Sequence, residues 1–314
     1  MSRHKDVVII GAGAAGLTAG LYLARARLDT LIVDAGTAGG QMIMTHQVAN
    51  YPGVPGITGA DLARAMLGQA RDHGCEVITQ SEILEMDLSS APKRLVIEDE
   101  GEITADAVIL ATGGAPRQLG VPGEERFRGT GVSYCATCDG DFFAGQEIVA
   151  IGGGNSALEE AVSLTRWAEK VTVIHEFEHF QAQPWIVAEA RRNPKIHFLM
   201  NQEVLEFEGD ATLAAVRSRD KATGVVSRVP ATGAFVFIGY VPRTDSVRDV
   251  VACNDRGEIL AGEDLATSVP GVFAAGDSRA KRYRQITTAT ADGTIAALSA
   301  IDFLAARGGL LESA

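Results

Sequence analysis

The stretch "DVVIIGAGAAGLTAGLYLARARLDTLIVD" runs from Asp6 to Asp34. An apolar run, a glycine turn, an apolar-periodic stretch and a second apolar run follow one another without a break. That order reads as strand, turn, helix, strand, the βαβ unit that binds a dinucleotide. Its glycines have separate tasks. Gly11 makes the tight turn, Gly13 lets the backbone approach a pyrophosphate, and Gly16 lets the helix pack on the strand. The helix then opens at Ala14 and Ala15 with free N–H groups and the positive end of its dipole toward the anion. Asp34 lies roughly 20 residues beyond the first glycine, where a carboxylate holds a ribose hydroxyl. The unit is expected to bind the adenosine part of FAD or NAD.

The pattern recurs. "EIVAIGGGNSALEEAVSLTRWAEKVTVIHE", Glu147 to Glu176, has the same strand, turn, helix and strand, with Gly152, Gly154 and Ala157 as G-x-G-x-x-A and a helix opening at Asn155 and Ser156. One such turn is a weak signal, but two in full context predict two nucleotide-binding units. "VILATGGAPR", Val108 to Arg117, has the strand-then-glycine form again. Late in the chain an apolar strand, Val272 to Ala275, runs into Gly276-Asp277, and a periodic helix follows from about Ile286. A strand so far from the first unit closes that unit's sheet if the first domain is discontinuous. "LGVPGEERFRGTGV" and "FIGYVPRT" carry the proline and glycine of crossover linkers.

Composition sets outer limits. The chain has 314 residues, a formal charge of −12, 46% hydrophobic and 22% charged residues. These are values of a globular protein of about two domains at roughly 150 residues each. The acidic balance argues against general nucleic-acid binding, which needs a basic face. The N-terminus does not read as a signal peptide, since its short apolar run enters a glycine turn. No stretch reads as the ~18 apolar residues of a membrane span. A cytoplasmic protein that makes no membrane contact is the expectation.

Chemistry enters at "SYCATCDGDFF", Ser133 to Phe143. Cys135 and Cys138 form C-x-x-C, followed by Asp139. Two sulfurs at this spacing can close a small disulfide, and a nearby base can make one thiol attack as thiolate. A structural metal site needs two further ligands, and Cys75 and Cys253 are single and far apart. No metal is expected. In a reducing compartment the pair reads as a redox dithiol, with Asp139 placed to give or take a proton.

Together these residues closely resemble the low-molecular-weight thioredoxin reductase family. The resemblance covers nearly the whole chain: "GAGAAG" at Gly11–Gly16, "GGQM" at Gly39–Met42, "NYPG" at Asn50–Gly53, "ATG" at Ala111–Gly113, "CATCDG" at Cys135–Gly140, "GGGNSALEE" at Gly152–Glu160, and "GD" at Gly276-Asp277 with "YRQ" at Tyr283–Gln285. It implies an α/β fold of two Rossmann-like domains, the second inserted into the first. The FAD domain would comprise 1–117 and 247–314, and the domain carrying the dithiol 118–246. It implies a homodimer. Gly39, Gly40, Gln41, Asn50, Thr112, Gly276, Asp277, Arg284, Gln285 and Ile286 would surround the flavin. Cys138 would exchange electrons with the flavin, Cys135 would attack the disulfide of a thioredoxin-like partner, and Asp139 would be the acid/base. In that family the second domain rotates so that the dithiol faces flavin and substrate in turn.

One stretch departs from the family. NADPH-dependent members carry "HRR" after the second strand and a further arginine beyond it, and arginine forks suit a 2′-phosphate. Here the stretch is "HEFEHFQAQ", His175 to Gln183. Glu176, Phe177 and Gln181 stand at the arginine positions. A carboxylate there repels a 2′-phosphate, so NADPH is not the expected donor. Glu176 could instead hold a free ribose hydroxyl of NADH or of a second FAD, or electrons could come from a protein such as reduced ferredoxin. Two other readings of the whole chain are an FAD-dependent dithiol oxidase that uses oxygen and a non-catalytic flavin redox sensor. The aromatics Phe177, Phe180 and Trp185 read first as packing or a surface loop, His175 and His179 as packed or solvated side chains, and "RAKRYR", Arg279 to Arg284, as a solvated loop with Arg284 alone near the flavin, ahead of a basic run that steers an acidic electron carrier.

Overall fold

The computed structural model describes residues 3–45 and 47–308. β1 (Arg3–Ile10) is apolar on both faces at Val7, Val8 and Ile9, the pattern of a parallel strand covered on both sides, and all three are fully buried. α1 (Ala14–Arg25) crosses to β2 (Thr30–Asp34), which lies parallel to β1 with Val7 opposite Thr30 and Ile10 opposite Val33. α2 (Gly59–Asp72) starts where the Thr58 hydroxyl accepts the Asp61 N–H, and it leads to β3 (Glu76–Thr79) beside β2. β4 (Ile83–Asp87), β5 (Lys93–Ile97) and β6 (Gly101–Leu110) form an antiparallel meander, and β6 returns parallel to β1. β7 (Gly114–Pro116) then carries the chain out of this unit.

The inserted unit repeats the plan. β8 (Val132–Ser133) and the single turn α3 (Ala136–Asp139) precede β9 (Glu147–Ile151), α4 (Asn155–Leu164) and β10 (Lys170–Ile174). α5 (Pro184–Arg192), with proline in its first turn, leads to β11 (Ile196–Leu199). β12 (Gln202–Gly209), β13 (Leu213–Asp220) and β14 (Val226–Pro230) make a separate antiparallel sheet, and β15 (Gly233–Val236) re-enters the parallel one. The parallel sheet has the order β11-β10-β9-β15-β8. Helices α3, α4 and α5 cover one face around Leu158, Leu164 and Phe235. The antiparallel sheet covers the other around Phe127, Phe207 and Val216.

β16 (Tyr240–Pro242) pairs with β7 where the chain passes between units. β17 (Val272–Ala274) then joins β6, Val272 opposite Val108, completing the seven-stranded sheet of the first unit. α6 (Ile286–Ala306) packs along α1. A side chain at Gly293 would bring its Cβ to 2.2 Å from the Ala15 carbonyl oxygen, so glycine sets the closeness of that crossing. α6 is long and apolar enough to cross a membrane by length and composition. Its Ala296, Ala297, Ala300 and Leu304 are nevertheless buried in the core with Leu17 and Leu23 of α1, and each fully buried leucine there contributes roughly 1.5–3 kcal/mol. It is a core helix of this fold.

The two compact units are Met1–Ala115 with Val241–Ala314, and Pro116–Tyr240. The fold class is the expected one: two Rossmann-like units, the second inserted into the first.

Candidate active site

The first unit gathers its glycine turns around the start of α1. The first helical bond is Leu17 N–H to Gly13 O, so the N–H groups of Ala14, Ala15 and Gly16 point out of the helix without intrahelical partners. A Cβ on Gly13 would meet nothing within 4 Å, which leaves that approach open. A Cβ on Gly16 would lie 1.8 Å from the Gly11 carbonyl oxygen, so this glycine is fixed by the contact of helix and turn. Gly39 N–H donates to Ala12 O at 2.7 Å, and a Cβ on Gly40 would reach 3.2 Å from Gly13 Cα, which seats the Gly39–Gly40 turn beside the first one. Asp34 accepts from Ala12 N–H at 2.6 Å and from Gly36 N–H at 2.7 Å, one bond to each carboxylate oxygen. A carboxylate has about four lone-pair positions, so sites are left for ribose hydroxyls.

The remaining cradle residues come from afar. The Thr112 hydroxyl is buried and has no hydrogen-bond partner among the described residues, as a group waiting for a ligand would be. Gly276 packs on Ala15, and its N–H donates to Asp292 at 3.0 Å. Asn50 Nδ2 donates to Gln285 Oε1 at 3.3 Å, Gln285 caps α6, and Ile286 is the first residue of that helix. Arg284 is ion-paired with Glu258. Burial pushes the Asp277 carboxyl up, and Lys281 opposes that at 3.1 Å. Gln41 is exposed on its turn. A phosphate-ready helix start, a ribose-ready carboxylate and an unpartnered buried hydroxyl fit FAD.

Asp292 was not singled out by sequence reasoning. It is buried on α6 and bonded to Gly276 N–H, Arg279 and Lys281, which fixes the Gly276-Asp277 turn against α1. The run "RAKRYR" is therefore not simply a solvated loop. Arg279 and Lys281 are spent internally, while Tyr283 is 64% exposed with Arg282 over its ring.

In the second unit Cys135 and Cys138 are joined as a disulfide with an S–S distance of 2.11 Å. Cys135 is the N-cap of α3, and its Sγ accepts the Cys138 N–H at 3.2 Å. Asp139 follows, largely buried. Desolvation raises its carboxyl above the usual range, and the Asp141 charge adds to that. The opposing influence is the Ser133 hydroxyl, which donates to Asp139 Oδ2 at 2.6 Å. Ser133 escaped sequence reading because a serine in a strand carries no signal of its own. The other cysteines are not part of this site. Burial pushes the Cys75 thiol up to about 12, and Cys253 is half-buried with its thiol toward the Val251 carbonyl.

The second glycine turn keeps its approach open, since a Cβ on Gly154 would meet nothing within 4 Å. The first helical bond of α4 is Leu158 N–H to Gly154 O, which leaves the N–H groups of Asn155 and Ser156 outside the ladder. A Cβ on Gly153 would strike the His175 ring at 2.3 Å. His175 is buried, its Nε2–H donates to His179 O at 3.1 Å, and burial holds its pKa below the ordinary value. It stacks with Phe180 and meets Phe177 edge-on. The tail then folds back over the turn: Gln181 N–H donates to Gly153 O at 2.9 Å and Gln183 N–H to Asn155 Oδ1 at 2.7 Å. Glu176 is left exposed. Lys221, which sequence reasoning did not single out, bonds the Glu176 carbonyl at 3.1 Å and lies 5.3 Å over the Phe177 ring. Trp185 is 54% exposed, with its Nε1–H on Gln183.

The sequence model of the pyridine nucleotide-disulphide oxidoreductase family matches residues 5–293. A thioredoxin reductase of Peptoclostridium acidaminophilum is 42% identical over 313 residues, covering 98% of this chain and 99% of that protein. One of Mycolicibacterium smegmatis is 46% identical over 302 residues, covering 96% of each. The crystal structure of the thioredoxin reductase of Streptococcus pyogenes MGAS5005 superposes with a TM-score of 0.93 at 39% identity, covering 98% of this chain and 100% of that one. With a C-x-x-C disulfide beside a largely buried carboxyl in one Rossmann-like unit and a dinucleotide cradle in the other, the chain belongs to the pyridine nucleotide-disulphide oxidoreductase family, as a flavoprotein disulfide oxidoreductase of the low-molecular-weight thioredoxin reductase type.

Proposed function

We propose that this chain is an FAD-dependent reductase of thioredoxin disulfides whose electron donor is not NADPH. The observation that carries the reading is the closed Cys135–Cys138 disulfide followed by Asp139, a largely buried carboxyl held by the Ser133 hydroxyl and raised by desolvation. Relatives that share the chain from end to end are thioredoxin reductases, which supports a thioredoxin-like protein as the substrate. FAD would be held by Gly11, Gly13, Asp34, Gly39, Gly40, Asn50, Thr112, Asp277 and Gln285, with Arg284 and Ile286 at the start of α6. When bound, it would supply the electron pair that opens the disulfide.

The residues then act in order. The Cys135 thiolate attacks one sulfur of the substrate disulfide, the substrate S–S bond breaks, and the leaving sulfur takes a proton from Asp139. The Cys138 thiolate attacks the mixed disulfide at Cys135, the Cys135–Cys138 bond re-forms, and the second substrate sulfur leaves and is protonated. Asp139 regains its protons from the two cysteine thiols as they become thiolates, so two electrons and two protons pass from enzyme dithiol to substrate dithiol.

The donor reading rests on Glu176. The open Gly154 approach and the free N–H groups at the start of α4 support a retained dinucleotide cradle, which favours a dinucleotide such as NADH over reduced ferredoxin. The exposed Glu176 carboxylate suits a ribose diol and repels a 2′-phosphate. The test of the chemistry is Cys138→Ser in the flavin-loaded enzyme. Thioredoxin reduction is expected to fall by at least about a thousandfold, the scale of losing a covalent nucleophile. Retained activity would overturn the dithiol route, and peroxide formation from a small dithiol and oxygen would replace it with the oxidase reading.

A further inference from the structure

We propose that Ser133 is a positioning residue of the dithiol chemistry, whose hydroxyl holds the Asp139 carboxyl in both of its protonation states. The proposal rests on the reading of Asp139 as the acid/base. Ser133 ends β8 and is 5% exposed. Its Oγ accepts the Cys135 N–H at 3.1 Å and donates to Asp139 Oδ2 at 2.6 Å. A second acceptor, the Cys135 carbonyl oxygen, lies 3.4 Å from the same hydroxyl.

A serine hydroxyl has one hydrogen, two acceptor positions and a free rotor. While Asp139 is ionised, the hydroxyl gives its hydrogen to the carboxylate. When Asp139 takes a proton, the new O–H can donate to Ser133 Oγ, and the serine hydrogen turns to the Cys135 carbonyl. The pair stays satisfied on either side of the transfer. No heavy atom has to move, and no buried polar group is orphaned, which would otherwise cost the full desolvation penalty. The same oxygen holds the Cys135 amide, so the carboxyl and the cysteine that attacks substrate are fixed to one atom.

The surroundings leave this role to Ser133. α4 packs on α3 through Leu158, Ala161 and Leu164 against Ala136, and β15 places Phe235 opposite Ser133. The charged neighbour that acts on Asp139 is Asp141, which opposes its ionisation. Ser133 is the group that favours the ionised form, so its loss leaves burial and Asp141 unopposed.

The test uses the full flavin-loaded chain, reduced anaerobically with dithionite so that the natural donor does not matter, then mixed with a bacterial thioredoxin in its disulfide form. Wild type, Ser133→Ala, Asp139→Asn and the double variant are followed across pH. Ser133→Ala is expected to slow thiol transfer about tenfold, the factor for one hydrogen bond to a charged group. The Asp139 limb of its pH profile is expected at higher pH than in wild type. In the Asp139→Asn background Ser133→Ala is expected to cost much less than it does alone, because only its hold on the Cys135 amide is left to lose. Additive losses, or an unmoved limb in Ser133→Ala, would overturn the role. If the alanine variant loses its flavin or its fold, Ser133→Thr and Ser133→Val, alike in shape, carry the comparison: only the threonine keeps the transfer. A wild-type enzyme that leaves thioredoxin oxidised would overturn the substrate reading instead.

Discussion

Asp139 shows what a buried carboxyl costs and what it supplies. Its pKa is raised, by burial first and by Asp141 second. Folding therefore favours the protonated form. No penalty is present below the ordinary carboxylate range, and stability is lost as pH rises through the raised folded value. Asp139→Asn removes the ionisation, so its thermal midpoint is expected to exceed that of wild type at neutral pH, with the gap closing in acid, while thiol transfer falls. Thermal melts at both pH values check this, and an equal gap at both would refute it. Glu176 makes the opposite case, an exposed carboxylate with little structural duty. Replacing Glu176 and Phe177 together by arginine is expected to lower the KM for NADPH at least about tenfold, one charge-assisted bond's worth. Steady-state kinetics with both nicotinamides check it, and an unchanged KM would show that the 2′-phosphate lies elsewhere. Both side chains were legible in the sequence because a motif fixed their places. Ser133, Lys221 and Asp292 were not, since their meaning lies in partners that folding brings near.

At the scale of elements, the two βαβ units were read directly because a glycine turn between an apolar strand and a periodic helix has few other uses. The return of β17 to β6 was legible for the same reason: its apolar strand ends in a glycine, like β6 before it. The antiparallel sheet β12–β14 was not, and neither was the α1–α6 crossing. Glycine at position 293 looks like a weak helix residue, yet the Ala15 carbonyl lies where a side chain would go. Gly293→Ala is expected to cost about 1–3 kcal/mol from overpacking. It also pushes the N–H groups at the start of α1, so flavin content per chain is expected to drop with the melting point. A stable variant with full flavin would show that the crossing has slack. The opposite lesson comes from His175 and His179. Their spacing suits metal ligands, but one ring packs on Gly153 and the other is exposed.

For the whole molecule, the chain uses its two ends for the flavin-type unit and its middle for the dithiol unit. The sequence shows this as a repeat interrupted by proline and glycine linkers, with the closing strand far downstream. The family likeness runs through both units, so the chemistry of disulfide reduction belongs to the chain as a whole. The altered tail is a local change in one unit, at the mouth of an otherwise retained cradle. On the proposed function, that combination keeps the reaction and changes the source of electrons.

The most direct measurement is anaerobic flavin absorbance in the full-length enzyme, with NADH, NADPH and reduced ferredoxin added separately and oxidised thioredoxin added last. The account predicts rapid bleaching by NADH, slow bleaching by NADPH, and return of the oxidised spectrum on adding thioredoxin. Bleaching by NADPH as fast as by NADH, or by ferredoxin alone, would contradict the reading of Glu176. Failure of thioredoxin to restore the spectrum would contradict the reaction itself.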